Sequence, residues 1–126
     1  MTSPRTTLFL AALMGAAGVA AGAFGSHMLS DVLSPGRMST YGTGIAYLQW
    51  HAVYLLVLSW ISMQHENRAF LWARRCALGG ILFFTGSLVA LSLTGISLLG
   101  AVAPIGGTLL IASWLFSAWG ARQLAN

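Results

Sequence analysis

The sequence predicts an all-α integral membrane protein: four transmembrane helices packed as a Gly-rich bundle, with a short interfacial helix in the first outer connection. Three observations carry this expectation. Hydrophobic residues fill 57% of the 126 positions and charged residues only 6%, against about 25% charged in an ordinary soluble domain, so a charged coat cannot be built. The apolar residues fall into four runs, each close to the ~20 residues a helix needs to cross the hydrocarbon core. The connections between them are short, which leaves one domain over residues 1–126 and no linker.

The first run covers about residues 6–25, after an N-terminus carrying Arg5. Ala21-Gly22-Ala23 resembles a small-residue cleavage site, but the run is long enough to span, and a spanning helix is expected. Ser26 to Leu33 then reads as the short interfacial helix, ended by Ser34-Pro35-Gly36. The second run covers about 41–63 and gives way to the polar stretch Gln64 to Arg68. The third, about 71–94, has Arg74 and Arg75 in its first turn, placed to snorkel to the headgroups. Gly95 to Ala103 has no charge and should lie low in the interface. The fourth run, about 104–121, opens on Pro104, which suits a first helical turn because its missing N–H loses no partner there.

Charge sets an orientation. The net charge of +4 comes from six arginines and two acids. No basic run extends beyond Arg74-Arg75, so no nucleic-acid partner is expected. Four passes put Arg5, Arg68, Arg74, Arg75 and Arg122 on one side and Arg37 alone on the other, and the positive-inside rule then places both termini in the cytoplasm. Trp60, Trp72 and Trp119 fall near the same boundary, as an aromatic belt would. Cys76 is the single cysteine, which excludes an intrachain disulfide and a Cys-based metal site.

Glycine marks the packing faces. The chain holds 15 glycines, well above the ~7% of average usage. Gly15, Gly18, Gly22 and Gly25 share one face of the first helix, where close backbone approach replaces the hydrophobic drive that lipid does not supply. The pair Gly18–Gly22 also offers a homodimer face. Gly86, with Gly79 and Ala90, marks a small face on the third helix. Gly106 and Gly107 do so on the fourth, followed by Ser113, Ser117 and Gly120.

Ionisable residues deep in a membrane are functional suspects. Here the one such residue is His51, about ten residues into the second run and so about 15 Å below the outer surface. Tyr47 and Tyr54 lie on its face of the helix, whereas Gln49 points elsewhere. A Tyr–His–Tyr stripe could bind a quinone headgroup, a haem iron, a metal or a proton, or it could simply hydrogen-bond across the bundle. His27 stands at the outer end of the first helix, with Tyr41 and Asp31 as candidate partners. His65 lies in a polar loop. Neither acid is deep, and there is no nucleophile–base pair, phosphate loop or zinc spacing. Neither catalysis nor a resident cofactor or metal is expected.

Gly22-Ala23-Phe24-Gly25-Ser26-His27 resembles the GAFGAH motif of the YgdD family, small bacterial inner-membrane proteins classed as domain of unknown function 423. The likeness continues through Thr43-Gly44-Ile45-Ala46-Tyr47 with His51, then Phe84-Thr85-Gly86-Ser87-Leu88, then Pro104-Ile105-Gly106-Gly107. Two positions depart from the family pattern: Leu48, where glutamine is usual, and Ala103, where threonine is common. The resemblance implies four helices in a bacterial inner membrane and no known activity. It also picks out His27, Tyr47 and His51 as motif positions. The reading that follows is an accessory or scaffold component, or a subunit of a larger membrane complex, with self-association included. The alternatives are a small-solute channel or transporter, and a quinone-, haem- or lipid-like ligand binder around His51.

Overall fold

A computed structural model describes residues 2–125. Its four long helices are α1 (Pro4–Phe24), α2 (Pro35–Gln64), α3 (Arg68–Thr94) and α4 (Ala103–Arg122). All four are long and apolar enough to cross a membrane. The expected all-α, four-helix membrane architecture is therefore what the chain adopts.

Each start follows from local chemistry. Ser3 caps α1, its hydroxyl accepting the Thr6 N–H. Ser34 caps α2 through the Arg37 N–H, and Asn67 caps α3 through the Phe70 N–H. Proline occupies the first turn of α1, α2 and α4, where an absent N–H costs nothing. At the far end of α3, Gly95 adopts φ 73° and its N–H bonds to the Leu91 carbonyl. That left-handed conformation suits glycine. The Arg37 guanidinium lies against this cap, where a cation meets the negative end of the helix dipole.

Two expectations about the first connection are corrected. The interfacial helix over Ser26–Leu33 does not form. Gly25–Leu29 instead continues α1 as a single π turn, and the Ser26 and Ser30 hydroxyls bond back to carbonyls four residues earlier. Leu29 then packs with Tyr41 and Ile45 in a small core at this end. Nor does Pro35 end a helix. With Ser34 as cap it begins α2, which starts well before residue 41 and runs for 30 residues. At 1.5 Å per residue that is about 45 Å, longer than the ~30 Å hydrocarbon core, so its ends reach the headgroup layers.

The two central helices, α2 and α3, pack against each other. α1 packs on α2 and α4 on α3, so α1 and α4 stand at opposite corners. The main core lies toward the end that carries both termini and includes Leu55, Leu58, Phe70, Ala73 and Ala77. Burial is inverted relative to a soluble protein. Thr7, Ser59, Ser92 and Ser113 are fully buried, while Trp50, Leu82 and Leu115 face outward. The Thr7, Ser92 and Ser113 hydroxyls find backbone carbonyls inside, the Ser59 hydroxyl makes no bond, and lipid accepts the large apolar groups. Trp60, Trp72 and Trp119 are all exposed, as belt residues should be.

The glycine faces hold in part. The tightest approach joins α3 and α4. A Cβ on Gly106 would lie 2.7 Å from the Phe84 Cα and 2.8 Å from the Gly80 carbonyl oxygen, and one on Gly80 would lie 2.6 Å from Leu110 Cδ2. Gly18 gives way to the Gln49 side chain and Gly25 to the Tyr41 ring. Gly22 and Gly107 make ordinary contacts. Gly15 and Gly86 meet nothing within 4 Å and pack no helix, because helix crossing carries each neighbour away from their flank. Gly120, marked by spacing on the small face of α4, does pack closely, against the Phe70 ring, while Gly80 takes on packing work that spacing did not assign to it.

Gly106→Ala should therefore force α3 and α4 apart and lower the unfolding midpoint in detergent, at about 1–3 kcal/mol for overpacking. Gly15→Ala and Gly86→Ala should leave the midpoint unchanged or raise it.

Candidate functional site

Tyr47, His51 and Tyr54 do converge, on the face of α2 turned toward α3 and α4. His51 is 6% exposed and lies about 24 Å along α2 from Pro35, near the middle of the helix. Its Nδ1 lies 2.8 Å from the Tyr47 carbonyl oxygen. The Trp114 indole N–H donates to Nε2 over 3.2 Å. A carbonyl can only accept and an indole N–H can only donate. The two bonds together select a neutral imidazole with its proton on Nδ1, and neither ring nitrogen remains free.

Tyr54 extends the cluster across the bundle. Its hydroxyl lies 2.8 Å from Ser113 Oγ and 3.0 Å from the Ser113 carbonyl, with Ser117 Oγ also in reach. Ser113 in turn donates to the Ala73 carbonyl over 2.7 Å. The relay Tyr54–Ser113–Ala73 thus links α2, α4 and α3. Ring contacts pack around it: Tyr54 on Trp114 with centroids 4.2 Å apart, and Tyr47 on Phe84 at 4.6 Å. Tyr47 itself is 43% exposed and contributes its backbone carbonyl and its ring rather than its hydroxyl.

His27 does not join. It is exposed in the π turn at the other end of the bundle, and Tyr41, its candidate partner, donates instead to the Ala21 carbonyl. That bond ties α2 to α1, as Thr85 ties α3 to α2 by donating to the Gly44 carbonyl over 2.9 Å. Among the described residues, no three His, Cys, Asp or Glu side chains converge.

Arg74 is the residue that sequence reasoning placed wrongly. It does not snorkel. It is 1% exposed and forms a two-pronged pair with Glu66 at 3.0 and 3.1 Å. It also donates to the Thr2 carbonyl over 3.1 Å. Next to it, Arg75 turns outward over the Trp72 ring. One residue of helix is about 100° of rotation, enough to send one arginine inward and its neighbour to the interface. The signal available in the sequence was Glu66 itself, the acid nearest the α3 start and able to neutralise a buried guanidinium.

Beside the polar cluster, an open groove of about 580 Å³ runs between α2 and α4 toward the termini end. Trp50, Val53, Val57, Trp114 and Leu124 line it, with Tyr54 at its floor. Its walls are almost wholly apolar.

Fold and site together define a small four-helix membrane protein whose deep polar residues serve helix contacts. The family described as "Protein of unknown function (DUF423)" matches residues 21–107. The chain is 42% identical over 111 residues to a UPF0382 membrane protein of Staphylococcus epidermidis, covering 88% of this chain and 90% of that one. It is 36% identical over 113 residues to a UPF0382 membrane protein of Haemophilus influenzae, covering 90% of each. It is 35% identical over 124 residues to the UPF0382 inner membrane protein YgdD of Escherichia coli K12, covering 98% and 94%. The chain belongs to this family of uncharacterised membrane proteins. No solved structure matches it.

Loss of the His51 or Tyr54 bonds should lower stability. His51→Ala and Tyr54→Phe are expected to cost between about 0.6 kcal/mol, the mean for helix–helix bonds in membranes, and about 3 kcal/mol for a buried partner left unsatisfied. Glu66→Gln should cost on the order of 2 kcal/mol. That lies below the usual 3–5 for breaking a buried pair because the Glu66 side chain is 44% exposed and screened. Thermal unfolding in detergent checks all three.

Proposed function

We propose that this protein is a non-catalytic accessory or scaffold component of the bacterial cytoplasmic membrane, acting as a subunit of a larger complex or by self-association. The observation that carries the reading is the saturation of His51. The one imidazole at mid-depth accepts from Trp114 and lies in bonding distance of the Tyr47 carbonyl, so it offers no lone pair to a metal or haem and no free site for proton transfer. The outward residues are then what remain for recognition. A channel receives no support, because His51, Tyr54, Thr85 and Ser113 bond to other side chains and to backbone across the bundle rather than lining a lumen. The orientation in this reading puts both termini in the cytoplasm, as the bias of arginines toward the termini end argues.

A second reading has one observation in its favour. The groove between α2 and α4 could seat an acyl or isoprenoid chain, with Tyr54 and Trp114 at its polar limit.

Protein isolated from its own membrane in mild detergent should be colourless and should co-purify with a membrane partner or as an oligomer. A Soret band lost in His51→Ala would overturn the reading, and a stoichiometric lipid lost in Val53→Trp with the fold intact would favour the groove. A reporter active only outside the cytoplasm should be silent when fused after the C-terminus and active when inserted in the Ser34–Arg37 turn. The opposite pattern would reverse the orientation.

A further inference from the structure

Gln49 is a mid-depth polar side chain that the cluster does not use; it differs from the exposed Tyr47 hydroxyl and the unbonded, buried Ser59 hydroxyl in carrying both donors and an acceptor. Gln49 lies about 21 Å along α2 from Pro35, near the middle of the 30-residue helix, and it is exposed on the outside of the bundle. Its stem crosses α1 at Gly18, where a Cβ would lie 2.7 Å from Gln49 Cγ and 3.8 Å from Nε2. Among the described residues its amide makes no hydrogen bond to another side chain or to backbone. At the surface of a soluble protein water would satisfy it. At the middle of a bilayer there is no water, and an unpaired amide carries the full desolvation cost of two donors and a carbonyl.

The surface around this amide is low. Gly42, Ala46 and Val53 follow the same helical strip as Gln49 and are exposed. A Cβ added at Gly42, or at Gly15 on α1, would meet nothing within 4 Å. Large exposed side chains, Val19 and Trp50, flank the strip on α1 and α2, and Leu82, Ile111 and Leu115 cover the α3 and α4 surfaces. The small residues Gly42 and Ala46 thus leave room on the Gln49 strip for another helix.

We propose that the α1–α2 flank centred on Gln49 is a homodimer interface, in which the Gln49 amides of two copies pair across a two-fold axis. A carboxamide suits this because it is self-complementary. Each N–H donates to the other copy's carbonyl, and a two-fold places identical groups face to face. No charge is brought into the membrane, and the small residues on the strip let the backbones approach closely enough for short side chains to meet. This deepens the self-associating form of the proposed function by naming its partner and face. If no dimer forms, the hetero-complex form of that reading still stands.

The test uses the full chain in bacterial membranes with Cys76→Ala, so that each introduced thiol is alone. On mild oxidation, A46C should give a disulfide-linked dimer, whereas I111C, on the α4 surface, should not. Adding Gln49→Leu should cut the linked A46C fraction about tenfold, the loss expected when two interhelical hydrogen bonds are removed. Gly42→Leu provides a second variant. Its side chain points into open space in one copy, so the fold survives, but its bulk should separate two copies. Sedimentation in detergent should show the parent as a dimer and both variants as monomers with an unchanged unfolding midpoint. The proposal is overturned if A46C does not cross-link, if I111C links equally well, or if neither variant weakens the dimer.

Discussion

Inside a bilayer an interior hydroxyl or ring nitrogen has no solvent to turn to, and its partner must come from the chain itself. The relay from Tyr54 through Ser113 to the Ala73 carbonyl is where this constraint shapes the bundle most. It joins three helices in one place, and it sits between the close α3–α4 approach at Gly80 and Gly106 and the Arg74 pair near the termini. Apolar packing alone could not specify the register of these helices, because lipid tails solvate leucine as well as a neighbouring helix does. Directional bonds to backbone carbonyls can, since a slip of one residue would turn each donor away from its acceptor.

The two ends of the bundle are closed by different means. At the termini end, Arg74 draws the Glu66 loop and the Thr2 carbonyl together, so one guanidinium connects the start of α1 with the α2–α3 turn. A charge this deeply buried persists because both terminal guanidinium nitrogens meet acceptors, Glu66 and the Thr2 carbonyl, although Nε makes no bond. At the other end there is no ion pair among the described residues to do this. There the Tyr41 hydroxyl, the Arg37 contact with the α3 cap and the π turn of α1 hold the connections, at a level where headgroups and water already meet the chain.

In the proposed reading, stability and recognition fall on separate surfaces. The inward face of α2 turns His51 and Tyr54 toward α4, and both imidazole nitrogens have partners there. The outward face of the same helix keeps Gln49 without a partner among the described residues. Two polar residues only two positions apart thus have opposite fates, one inside the bundle and one at its edge, because each residue turns the helix by about 100°.

The class of protein was legible in composition and periodicity alone. Four apolar runs, few charges and a biased set of arginines require a membrane and four helices whatever the packing, because those properties depend on local sequence and on the solvent. The gathering of Tyr47, His51 and Tyr54 on one face was also legible, since i, i+4 and i+7 share a face in any helix. What those residues touch was not. Trp114 and Ser113 lie about 60 positions away, and their meeting with α2 depends on how the helices cross. The same holds for Gly15 and Gly86, which look like packing glycines although a Cβ at either would meet nothing within 4 Å, and for Gly80, which no spacing singled out. Arg74 and Arg75 are adjacent and chemically identical in the sequence. Only the position of Glu66 and of the α1 start in three dimensions decided that one is buried and the other meets the interface, because burial of a charge depends on which acceptors the fold brings to it.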